Sequence, residues 1–144
     1  YDALASDGSA TYPGVGISFG ISRTLVPLFQ RGLLTGTRAV PSAVLVALVD
    51  ESSRPASDTV AHKLRARGIP TEVAAAAQKY GRQIRYAERR GIPYVWFPGA
   101  GGASDQVKDI RSGEQVDADP ADWDPATADL QPGVVATTAS KEQQ

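Results

Sequence analysis

Ala43-Val44-Leu45-Val46-Ala47-Leu48-Val49 runs without a polar break. A strand with one wet face alternates apolar and polar residues. An uninterrupted run instead predicts a strand buried on both faces, as in a parallel sheet covered by helices. The residues that follow fit such a sheet. Ser57 to Arg67 has helical periodicity and is stopped by Gly68. Thr71 to Ala75 is a weak strand, and Gln78 to Arg90 is a second helix stopped by Gly91. Pro93 to Phe97 is a third strand, with Tyr94 and Trp96 on one side and Val95 and Phe97 on the other. Pro98 to Ser104 is a glycine-rich turn. Gln106 to Ile110 and Glu114 to Ala118 form a hairpin joined around Ser112-Gly113. Two βαβ steps and a hairpin predict an α/β fold: a mixed, mainly parallel sheet flanked by helices. Both crossovers are expected to be right-handed. Trp123 is expected to cover a sheet edge.

Upstream of this region the pattern differs. Ser6 to Pro13 reads as a loop and Val15 to Phe19 as a strand. Ser22 to Leu34 reads as a helix with Leu25, Leu28 and Phe29 on one face. Ser22 and Thr24 are both candidate caps. Pro27 is tolerated if Thr24 is the cap and kinks the helix if it starts earlier. Residues 37–41 read as a linker. From about Leu130 the chain reads as a disordered tail, residues 130–144.

The composition is that of a globular protein: 42% hydrophobic and 22% charged residues among 144. There is no cysteine, which excludes disulfides and thiolate metal sites. The single histidine, His62, cannot make a zinc site without several carboxylates, so no metal site is expected. No apolar run is long enough to span a bilayer. The first residues lack the pattern of a signal peptide, and the chain does not begin with methionine. It therefore reads as a piece of a longer protein, cytoplasmic and without a membrane partner. The net charge is -1, yet basic residues crowd the middle and acidic ones the end. One face can attract a polyanion while the total charge stays near zero.

Two constellations bear on chemistry. Gly14, Gly16 and Gly20 precede Arg23 at a strand-to-helix junction. Glycine allows close backbone approach, and arginine offers a fork of donors suited to phosphate. The spacing is not that of a dinucleotide fingerprint. Close strand packing and close ligand approach both stay open on the residues alone. The second constellation is the helix from Gln78 to Arg90. Lys79, Arg82 and Arg89 lie at roughly helical spacings, with Arg85 and Arg90 nearby, and Gln83 and Tyr86 add an amide and a ring. Cations, an amide and a ring together suit an unpaired RNA loop. On the residues alone a solvated helix face is the plainer reading. Ser57, Asp58 and His62 have no nucleophile turn, so a hydrolytic triad is not expected. The terminal aspartates match no calcium loop.

Several stretches together resemble one family. Pro13-Gly14-Val15-Gly16-Ile17-Ser18-Phe19-Gly20-Ile21-Ser22-Arg23 resembles the third signature motif of class II aminoacyl-tRNA synthetases in its histidyl form. Tyr1-Asp2 resembles the end of that family's histidine-binding segment. Leu64 to Ile69, Gln83 to Ala87, Gly91 to Val95, Val107 to Ile110 and Ser112 to Val116 resemble signatures of its C-terminal anticodon-binding domain. The resemblance implies that residues 1–36 are the end of a catalytic domain and residues 42–129 an anticodon-binding domain. It implies that Arg23 acts in catalysis and binds ATP with Gly16 and Gly20, and that Tyr1 lines the histidine pocket. It further implies that Lys79, Arg82, Gln83 and Arg85 bind the tRNA anticodon. Ser22 stands where the motif carries glutamate. The implied enzyme, a ligase of protein biosynthesis, joins histidine to its tRNA with ATP and magnesium, as a homodimer. The chain alone lacks the other two motifs, so adenylation is not expected of it. The alternative is a stand-alone RNA- or protein-binding module that reuses the anticodon-binding fold.

Overall fold

Residues 14–137 are described by a computed structural model of the chain. The elements in order are α1 (Ile21–Gln30), β1 (Leu34–Gly36), β2 (Val44–Val46), α2 (Arg54–Ala66), β3 (Thr71–Val73), α3 (Tyr80–Arg90), β4 (Tyr94–Phe97), β5 (Gln106–Asp109), β6 (Gln115–Asp117) and β7 (Val134–Ala136). Short 3-10 turns occupy Glu51–Ser53 and Thr127–Asp129. The main sheet has the order β3-β2-β4-β5-β6. β3 and β4 run parallel to β2, and β5 and β6 complete an antiparallel edge. This is the mixed α/β architecture that the apolar run predicted.

Alternation along the strands builds two cores. Val44, Val46, Tyr94 and Trp96 face α2, where Val60, Ala61 and Leu64 meet them. Leu45 and Val95 face α3, where Ala87 is fully buried. β2 is thus covered on both sides, which explains why its sequence shows no period of two. Truncating such a side chain removes both its transfer energy and its packing, about 2–5 kcal/mol for leucine to alanine.

β2 runs out of strand partners before it leaves the core, and side chains complete its hydrogen bonding. Ser57 Oγ donates to the Ala47 carbonyl at 3.0 Å. The Ala47 N–H donates to Trp96 O at 2.8 Å. Gln83 does the rest. Its Oε1 accepts from Leu48 N at 2.9 Å, and its Nε2 donates to Leu48 O at 2.7 Å and to the Gln78 carbonyl. Gln83 is only 4% exposed. The expected exposure of Gln83 is therefore corrected: it lies on the inner face of α3, one turn before Ala87 (i, i+4), with both amide atoms engaged.

Three arginines strap the C-terminal segment across the α2 face. Arg67 Nη1 donates to Trp123 O at 2.6 Å, and its Nη2 pairs with Asp124 at 2.8 Å. Arg38 donates to the carbonyls of Val40, Pro41 and Asp129 at 3.0, 2.6 and 2.6 Å. Arg111 bridges Asp109 at 2.7 Å and Asp129 at 2.8 Å, and Tyr94 Oη donates to Asp129 at 2.8 Å. The Trp123 ring then packs edge-on against Tyr94 and Trp96, with centroids 5.2 and 5.4 Å away. Gly91 ends α3 at φ +73°, and a Cβ there would stand 2.9 Å from Arg38 Cβ.

Further expectations need correction. Residues 130–137 are not a disordered tail: β7 pairs antiparallel with β1, Leu34 opposite Ala136. The linker between β1 and β2 is held by the Arg38 clamp and by Thr37 N–H donating to Gly133 O at 2.9 Å. Val15 to Phe19 forms no strand, because no described strand lies beside it, and Val15, Ile17 and Phe19 stay exposed. α1 is capped by Gly20, not by Ser22 or Thr24; the Thr24 hydroxyl donates back to Gly20 O at 3.1 Å. The expected loop at Ser6 to Pro13 and Tyr1 lie outside the described residues.

Two outcomes follow from these contacts. Gln83→Leu leaves the Leu48 N–H without its partner in a buried place, and urea unfolding will show a loss of about 1–3 kcal/mol. Arg82→Ala, one residue away but exposed, will change stability by less than about 0.5 kcal/mol. The second outcome concerns acid. The Arg111 guanidinium holds the Asp109 and Asp129 carboxyls below their ordinary range. Groups depressed in the folded state contribute stability that is complete above the ordinary carboxylate pKa and is lost as pH falls through the depressed values. Arg111→Gln will therefore move the acid transition to higher pH, read by the fluorescence of Trp123 against Trp96.

Candidate nucleic-acid interface

α3 carries the densest positive charge in the molecule. From Lys79 to Arg90 there are five cations and one carboxylate, Glu88. Arg89 and Arg90 lie in the last turn, where a positive charge complements the helix dipole. Ile84, Ala87 and Gln83 face inward and hold the helix on the sheet. Lys79, Arg82, Arg85 and Arg89 are left on the outer face, all exposed. None forms an ion pair with a described residue, since the four such pairs involve Arg54, Arg67 and Arg111 alone. The helix thus spends its polar inner residue on the fold and keeps its cations free.

Beside the N-terminal turn of α3 lies a hollow of about 500 Å³, between the helix, the end of β4 and the β5–β6 hairpin. Tyr80 meets Phe97 edge-on at 4.8 Å and remains 42% exposed. Lys108, Gln106 and Gln115 face the same hollow. The amides are held in a ladder: Gln115 Nε2 donates to Gln106 Oε1 at 2.7 Å, and Gln106 Nε2 to Asp117 at 2.9 Å. The glycine-rich loop walls one side. Asp105 accepts from Gly99 N at 2.7 Å and from Trp96 Nε1 at 2.9 Å, which ties the loop to the core. A Cβ on Gly99 would stand 2.0 Å from Ala103 O, so no other residue fits there. Rings, amides and a cation around one hollow suit splayed bases.

Of the residues singled out from sequence, Lys79, Arg82 and Arg85 come together on one surface, and Gln83 turns away from it. Tyr80, Phe97, Lys108 and Gln115 were not singled out as a site. Phe97 reads as core by alternation, and only the fold brings Tyr80 to it. Gly16 has open space around it, Gly20 caps α1, and Arg23 is exposed on that helix. Among the described residues this end of the chain supplies one exposed guanidinium and two glycines, too few groups by themselves to preorganise ATP and its magnesium. Ser57 is buried on Ala47 while Asp58 and His62 are exposed, so the three build no triad. Among the described residues no helix is long and apolar enough to cross a membrane, and no three acidic or histidine side chains gather to hold a metal.

Comparison with known proteins agrees with this geometry. Residues 43–122 match a family model described as the anticodon binding domain. The chain is 57% identical over 141 residues to the histidine--tRNA ligase of Cutibacterium acnes, covering 95% of this chain and 31% of that protein. It is 53% identical over 137 residues to the histidine--tRNA ligase of Micrococcus luteus, covering 93% of this chain and 30% of that protein. The crystal structure of histidyl-tRNA synthetase from Nostoc sp. PCC 7120 superposes with a TM-score of 0.56 at 25% identity, over 69% of this chain and 24% of that one. The chain spans about a third of the length of these curated relatives. With β2 through β6 and both covering helices inside the matched residues, the chain belongs to the anticodon-binding domain family.

Proposed function

We propose that the chain binds the anticodon arm of histidine tRNA, as the C-terminal portion of a histidine–tRNA ligase. The observation that carries this is the row of unpaired cations on α3, the helix whose first turn also brings Tyr80 to Phe97 at the open hollow. Lys79, Arg82 and Arg85 hold phosphates. Tyr80 offers a ring to a base, and Gln106, Gln115 and Lys108 present hydrogen-bonding groups to its edge. Gln83 acts only by holding α3 against β2. The joining of histidine to tRNA with ATP and magnesium belongs, in this proposal, to the longer cytoplasmic, homodimeric ligase. There Arg23, with Gly16 and Gly20 nearby, would contribute once further chain surrounds it.

The test is an anisotropy titration of a labelled anticodon stem-loop across a salt series. The double variant R82E/R85E will bind much more weakly at low salt. Its log–log salt slope will be shallower by about 1.5, as for two lost phosphate contacts. Circular dichroism and the urea midpoint will match the parent chain. Unchanged affinity and slope in that folded variant would move the RNA surface off α3. Tyr80→Ala will behave differently, losing about 1–3 kcal/mol of binding as for one unstacked base, with the salt slope unchanged.

A further inference from the structure

We propose that a second groove, between β3 and α3, takes one unstacked nucleotide of the bound RNA, outside the anticodon triplet. This rests on the RNA-binding reading above and extends it to a separate cavity. The groove holds about 820 Å³. It exists because α3 packs over Leu45 and Val95 and leaves the same face of the edge strand β3 uncovered. Its floor is built from Leu45, Glu72 and Ala74 on the α3 side of the sheet, with exposed Ala75 and Ala76 beside them; the Val73 side chain turns to the α2 side. Small side chains leave room for a planar ring. Its wall is α3, which contributes Arg85, Tyr86 and Arg89.

The charges suit a nucleotide. Arg82, Arg85 and Arg89 are spaced three and four residues apart, so they form a row about 10 Å long beside the groove. Arg82 and Arg85 already belong to the surface next to Lys79, so the groove continues the proposed interface without a gap. Arginine also stacks on bases as lysine does not. Glu72 and Glu88 line the same groove. One Glu72 oxygen accepts from Ser42 Oγ at 2.8 Å, and its carboxylate can still accept from the amino group of a base. An extended peptide is disfavoured as occupant. Sheet extension along β3 would need its carbonyls, and Arg65 Nε already bonds Thr71 O at 2.9 Å while Arg54 Nη2 bonds Ala75 O at 3.2 Å.

The experiment uses the full chain and the anticodon stem-loop, with 2-aminopurine placed in turn at each loop position. On binding, one position outside the triplet will change its fluorescence. Ala76→Trp fills the groove without altering charge. It will lower affinity about tenfold and abolish the change at that position alone. Arg89→Ala will weaken binding and reduce the salt slope by about 0.7–0.9. An abasic site at that position will weaken binding to the parent chain but not to Ala76→Trp, a coupling that misfolding would not produce. Urea midpoints of both variants will stay near that of the parent. If the parent chain binds the stem-loop and both variants bind equally well, the groove proposal is overturned while the α3 interface stands. If a glutamate-rich peptide binds in an Arg89-dependent way and the abasic coupling is absent, the groove serves a protein segment and the proposal is likewise overturned. If the parent chain binds no RNA, both readings fall together.

Discussion

A strand buried on both faces must have its backbone satisfied to its last residue, and β2 sets this demand for the whole domain. Its neighbours β3 and β4 supply the ladder only as far as they run alongside. Beyond that, Ser57 from α2 and Gln83 from α3 close the hydrogen bonds of Ala47 and Leu48. An unpaired peptide group in that place costs more than the bond itself contributes. The two polar side chains therefore fix where each helix sits along the strand. Once α3 is fixed this way, its inner residues are committed and its cations have only the outer surface to occupy.

The opposite charges of the middle and end of the chain divide between two uses. Arg38, Arg67 and Arg111 face the C-terminal segment and are consumed in holding it. They bond backbone carbonyls as well as carboxylates, which gives the strap direction as well as attraction. Lys79, Arg82, Arg85 and Arg89 have no such partner among the described residues. Net charge near zero thus conceals a neutralised face and a positive one. Only the positive one can bind a polyanion without first breaking contacts of its own.

The two candidate cavities have the same origin. α3 covers the centre of the sheet but neither edge. On one side it leaves the hollow lined by Tyr80, Phe97 and the hairpin amides; on the other it leaves the uncovered face of β3. Asp105 and Gly99 keep the loop beside the first hollow in one shape, and Arg54 and Arg65 close the edge beside the second. The helix therefore separates two recesses: Arg82, Arg85 and Arg89 line the second, while Lys108 of the hairpin is the cation of the first.

The order of β2 to β6 with α2 and α3 was legible from the chain alone, because local period and glycine stops are properties of neighbouring residues. The basic character of α3 was legible for the same reason. The burial of Gln83 was half visible: its place one turn before Ala87 marks the inner face, but an isolated amide in a row of arginines reads as a surface group. Nothing local announces that β7 pairs with β1, since Val134 to Ala136 is a short run whose partner lies about a hundred residues away. Nor does alternation in Val15 to Phe19 make a strand where no described strand stands beside it. The amino-acid sequence determined which segments are helix or strand and where charge is dense. The tertiary structure decided which polar groups are used up inside and which remain for a partner, because hydrogen bonds and burial depend on what lies across the core.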